Sequence, residues 1–219
     1  LGLAGAGQEV SILRSTLIRT GILDTKNGVP KVNLHPHDYL MANLLGEIEK
    51  FVREAREQKM SFAELYARLT TDKCYIGLRR GLVPIYVAAV FHEYKKEIII
   101  YDKFSQVPLN NDILLQIEAA PQDFALQCLD WNNEKDEYVD ALADVFKDYV
   151  VEAEKAASGY NYVAAAMHRW YMELPKYAKE AKYDPKGQQI DKFKRQFIRM
   201  LKQNIGTHTL LFERLPALV

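Results

Sequence analysis

Few residues in this chain have the types and spacing that chemistry needs. His35-Pro36-His37-Asp38 is the cluster richest in metal-ligand types. A metal site needs three or four converging donors and a supporting second shell. This tetrapeptide lies where a loop meets a helix, a place where Asp and Pro are expected as capping residues, so no metal site is assigned to it. His168 sits beside Arg169 and Trp170 on a helical stretch, with no sequence partner to make it an acid or base. The glycines near the start do not follow G-x-G-x-x-G, and neither a phosphate-binding G-x-x-x-x-G-K-[ST] loop nor a G-x-S-x-G elbow occurs. Cys74 and Cys128 have no CxxC or zinc spacing and read as buried structural thiols in a reducing, cytoplasmic setting. The residues therefore point to no catalytic centre, metal or cofactor.

Charge is the more informative chemistry. The 219 residues carry 29 basic and 29 acidic side chains, a net charge of zero that argues against a dedicated DNA-binding domain. The charges are nevertheless segregated. Residues 110 to 155 hold twelve acidic residues against three lysines, and residues 167 to 204 hold ten cations against four acidic residues. The candidate contacts to phosphates or to an acidic partner are Lys176, Lys179, Lys182, Lys186, Lys192, Lys194, Arg195, Arg199 and Lys202, with Arg79 and Arg80 as a separate pair. Tyr177 and Tyr183 are interleaved with the lysines and could stack on bases. The alternative is that the acidic and basic segments pair with one another or are solvated faces.

The elements that must position these residues read as mainly α with a small β-hairpin. A short helix is expected over 8–22, a loop over 24–35 with Asn27-Gly28 and Pro30 as turn signals, and a strong amphipathic helix over 37–57 with Pro36 in its first turn. Ser61 and Glu64 have capping-box spacing ahead of a second helix. A third helix over 77–94 is apolar nearly all round. A β-branched strand follows at 97–101, with 107–109 as its returning partner and 124–129 as another short strand. Helices are expected over 111–120, from 133 onward to a break at Ser158-Gly159, over 160–174 and over 187–204. In the last, Ile190, Phe193, Phe197 and Leu201 face inward. The apolar tail THTLLFERLPALV should dock on the body.

The order from 58 to 109, helix, turn, helix and then hairpin, is that of a winged-helix unit. A DNA-reading version would carry polar and basic residues on its second helix. Here only Arg79, Arg80 and His92 qualify, so the unit reads as architectural or protein-contacting. The division expected is an N-terminal helical segment (1–57), a winged-helix-like subregion (58–130) and a C-terminal helical subregion (131–219), within one compact body. No apolar run reaches the length of about 20 residues that a membrane span needs. The longest, Leu82 to Phe91, contains Pro84. The start on Leu1 is what a piece of a longer protein would show.

Two stretches, GLRRGLVPIYVAAVFHEYKKEIIIYDKFSQVPL with the IEAAPQDFALQ segment, and AAAMHRWYMELPKYAKEAK with TLLFERLPALV, carry a resemblance. Together they resemble an internal helical and winged-helix region of very large bacterial P-loop ATPases from phage-defence and DNA-modification clusters. The nucleotide-binding motifs of such proteins are absent here, so ATP hydrolysis does not carry over. The resemblance implies a non-catalytic scaffold or interaction domain. Its partners would be other domains of a parent protein or a separate protein, with nucleic acid as the alternative and no membrane.

Overall fold

In the computed structural model the described residues are 5, 7–25, 29–157, 159–203 and 205–218, with Ala156 and Ala157 as backbone alone. The Asn27-Gly28 turn signal and Ser158 lie outside them. The chain is mainly helical with small antiparallel sheets. It groups into two compact units. The first comprises residues 1–104 and 109–130, and the second 105–108 and 131–219.

The first unit opens with α1 (Gln8–Leu13), which widens into a π-helical turn over Arg14–Ile18. Two short strands follow, β1 (Leu23–Asp24) and β2 (Lys31–Val32). They pair antiparallel where the sequence reads only as loop. The first long helix, α2, runs Tyr39–Glu54 and not from residue 37, because Asp38 accepts from the Met41 N–H at 3.0 Å and so fixes the N-cap. Pro36 consequently sits buried before the cap, outside the first turn. Next come β3 (Met60–Ser61) and α3 (Phe62–Thr70). The capping box is half formed. Ser61 Oγ accepts from Ala63 N at 3.3 Å, while the Glu64 carboxylate is held by Arg68 one turn on.

The apolar stretch after the turn resolves into a 3-10 turn, Arg80–Leu82, and α4 (Val83–Glu93). Pro84 is tolerated in the first turn of α4, where its missing N–H costs nothing. Val83, Tyr86, Val87, Val90 and Phe91 are buried, as the all-round apolar pattern requires. Strand β4 (Ile98–Tyr101) follows, then β5 (Gln106–Val107), which groups with the second unit. Helix α5 (Asn111–Ala119) is capped by Asn110, and β6 (Ala125–Cys128) closes the unit.

Strand β6 lies between β3 and β4 in antiparallel register. Ile98 faces Cys128, Tyr101 faces Ala125, and Met60 faces Leu126. The four-residue ladder of β4 is thus made with the strand at 125–128. Helices α2, α3, α4 and α5 pack on one another around Phe51, Phe62 and Phe91, whose rings meet at 5.7 and 6.0 Å. Glu49, a buried carboxylate, accepts from Tyr94 Oη at 2.9 Å. Burial and this bond push the Tyr94 phenol up to about 12.

The second unit contains α6 (Asn133–Val145), α7 (Glu152–Ala157), α8 (Asn161–Glu173), α9 (Lys176–Glu180) and α10 (Lys192–Lys202). Its core joins Val139, Phe146, Tyr160, Val163, Met167 and Leu201. The apolar tail docks within the unit as expected, burying Leu210 and Leu211 in a π-helical stretch, Thr209–Arg214. Both tryptophans belong here. Trp131 stacks on Tyr160 at 5.2 Å, and Trp170 meets Phe146 at 5.7 Å. Among the described residues no helix is long and apolar enough to cross a membrane.

Candidate functional site

The last helix begins five residues later than its apolar spacing suggests. Residues 182–191 form a tight hairpin in which Tyr183 bridges Gln189. The Asp184 carboxylate accepts from the N–H groups of Lys186 and Gln188, at 2.9 and 2.8 Å, and Gly187 takes φ +79°, which favours glycine. Asp191 then caps α10 by accepting from Phe193 N at 2.6 Å. Upstream, Pro175 ends α8 and starts the short helix α9. The chain therefore doubles back, and α9, the hairpin and α10 enclose a groove of about 880 Å³ against the end of α8.

Seven of the predicted cations line this groove. Lys176, Lys179 and Lys182 come from α9 and its exit, and Lys194, Arg195, Arg199 and Lys202 come from α10. Among the described residues none of the seven forms an ion pair within 4.0 Å, and Glu180 is the acidic residue of the lining. Lys179 is anchored, its Nζ donating to Met172 O at 3.0 Å and lying 4.9 Å from the Tyr171 ring centroid. Arg195 Nε is shielded from solvent and has no hydrogen-bond partner among the described residues. Clustered like charges repel even through water, and charges closer than the screening length of about 8 Å at physiological salt are only partly screened. An anionic ligand relieves that repulsion.

The rest of the lining is largely an apolar floor, formed by Leu174, Ala178, Ile190, Phe193, Phe197 and Ile198 with Trp170 and Tyr171. By spacing, Ile190, Phe193 and Phe197 are inward-facing residues. In fact Phe193 is 44% exposed, and Phe197 is only partly buried. Helical spacing identifies an apolar stripe but not what covers it, so the floor could not be told from core.

The other predicted positions fall elsewhere. Lys186 and Lys192 are exposed but outside the groove lining. Tyr177 and Tyr183 are 74% and 62% exposed, also outside it. Arg79 and Arg80 belong to the first unit. Arg80 is occupied there. Its guanidinium donates to the Glu118 carbonyl, pairs with the Glu118 carboxylate at 3.3 Å and lies over the Tyr66 ring at 5.3 Å. Across the segregated acidic and basic stretches, Arg169 joins Glu154 and also donates to Tyr149 O at 2.7 Å.

His168 borders a shallower depression with Tyr149, Arg169 and Glu173. The Glu173 carboxylate accepts from Tyr149 Oη at 3.0 Å and raises that phenol's pKa. The Asp38 carboxylate is committed to its cap, and among the described residues no three His, Cys, Asp or Glu side chains converge as a metal site. Both cysteines are free thiols. Cys128 is 2% exposed, whereas Cys74 is only partly buried, with Sγ 3.7 Å from Glu47 Oε2. The expectation of two buried thiols therefore holds for one. Burial and the neighbouring carboxylate raise the Cys74 pKa, which disfavours a reactive thiolate. Comparison with models of known families, with curated proteins and with solved structures finds no match to this chain.

Proposed function

We propose that this chain is a non-catalytic interaction module whose working surface is the cation-rimmed groove of the second unit. One observation carries the reading: seven cations without ion-pair partners among the described residues converge on a single apolar groove. Cations held together without counter-charges cost stability, and binding an anionic partner recovers it.

The first unit is read as a winged-helix scaffold. Its support is the order α2, β3, α3, α4, β4, β6 with antiparallel strand order β3–β6–β4, and the burial of α4, the helix that would otherwise read DNA. Arg80, tied to Glu118, fits an architectural role better than base contact. On the resemblance described above, the module would serve as a scaffold in a large bacterial cytoplasmic P-loop ATPase that handles DNA or acts in phage defence.

Titration of the chain with poly-L-glutamate tests the groove. Binding should weaken with salt, and the double substitution Lys194→Glu/Arg199→Glu, both at exposed positions, should weaken it by at least about tenfold. Unchanged affinity in that variant would refute the assignment.

A second reading, nucleic-acid binding, is favoured by Tyr177 and Tyr183. They stand exposed among Lys176, Lys179 and Lys182, as stacking platforms beside phosphate contacts would. It requires binding of labelled single strands or duplex with a salt slope that falls as these lysines are removed. Absence of binding at low salt would end it.

A further inference from the structure

We infer that the occupant of the groove is an acidic amphipathic α-helix of a partner protein. The inference rests on the groove being the working surface, and it follows from how rims and floor are arranged.

The groove draws cations from two elements, Lys176, Lys179 and Lys182 from α9 and its exit and Lys194, Arg195, Arg199 and Lys202 from α10, each of which also contributes apolar lining. A helix with a narrow apolar stripe presents carboxylates on both of its flanks, whereas a single nucleic-acid strand carries one line of phosphates. The floor also favours side chains over bases. Trp170 and Phe197 are tilted onto one another at 5.8 Å, Trp170 further meets Phe146, and the Tyr171 ring carries Lys179. Of the exposed rings in this region, Tyr177 and Tyr183 stand outside the groove and only Phe193 lines it, one platform where a strand of bases would need a series. Leucine or phenylalanine side chains need only apolar area and shape.

The lining follows α10 from Phe193 to Lys202, most of its 11 residues. That is about 15 Å at the helical rise, which suits anchors at i, i+3, i+4 and i+7 of a docked helix. The chain's own acidic helix is a poor candidate in a second copy, since Val139 and Ala143 of α6 are already buried in their own core.

The test is calorimetric titration of the full chain with three probes. One is a synthetic Leu/Glu peptide of about four turns with leucines at that helical spacing. The second is the same composition scrambled, and the third is an oligothymidylate of matching charge. The inference expects the ordered peptide to bind at least about tenfold more tightly than either control, and Phe193→Glu and Lys194→Glu each to lose about tenfold. Far-UV circular dichroism should show unchanged helix content in both variants. Equal binding of ordered and scrambled peptides overturns the helix assignment and leaves the anionic groove. Tighter binding of the oligothymidylate overturns it in favour of nucleic acid. Self-association abolished by Lys194→Glu overturns it in favour of a second copy. Failure of all three probes removes the groove reading itself.

Discussion

At the scale of residues, the cations were legible because clustering of charge is visible in any sequence, but their engagement was not. Arg80 and Lys194 look alike as letters. Only the fold shows that Arg80 is locked to Glu118 and that Lys194 lines a groove. His208 is a case in which environment decides behaviour. Burial lowers its pKa below the ordinary 6.5, partly offset by Glu213 at 3.4 Å from Nδ1. The sign follows directly. Between the lowered native value and 6.5 the unfolded chain binds the proton and the native chain does not. Stability of the second unit should therefore be intact above that window and fall as the pH drops through it. Denaturant melts followed by tryptophan emission should show this slope in the parent and not in His208→Gln. An identical slope in both would assign the effect to other groups.

At the scale of elements, helices with long apolar periodicity were read correctly in kind. These are α2, α3 and α8, whereas the helix expected from 133 to the Ser158-Gly159 break ends at Val145 and resumes as α7 at Glu152 after a 3-10 turn. The errors lie where local hydrogen bonding overrides periodicity. Ile190 fits the stripe of Phe193 and Phe197, yet the Asp184 turn and Gly187 hold 184–190 in a hairpin. The pair β1–β2 escaped notice because two-residue strands carry no alternation to detect. The start of α10 depends on Asp191, so Asp191→Ala should cost about 1 kcal/mol in chemical denaturation, as typical N-cap removals do. It should also weaken poly-L-glutamate binding, since Lys194 and Arg195 lie in the helix's first turn. Full stability with unaltered binding would show that the cap does not position the groove.

At the scale of the whole molecule, the charge segregation noticed in the sequence corresponds to a basic groove confined to the second unit. The two units divide in sequence at Asp130 and Trp131, and α2 packs with α3 and α4 in the first. Two cores imply two separately perturbable bodies. Phe62 is fully buried among Phe51 and Phe91, so Phe62→Ala should destabilise the first unit by about 3–5 kcal/mol. Both tryptophans report on the second unit. The variant should therefore shift the unfolding seen by circular dichroism and leave the tryptophan transition in place. Coincident shifts of both signals would mean that the units unfold as one.

The most direct measurement is backbone amide mapping by nuclear magnetic resonance of the full chain during addition of poly-L-glutamate. The account predicts shifts concentrated in residues 170–202, strongest around Lys179, Phe193 and Arg199. Shifts centred on Arg79, on His35 to Asp38 or on the Tyr149–His168 depression, with residues 170–202 unmoved, would contradict it.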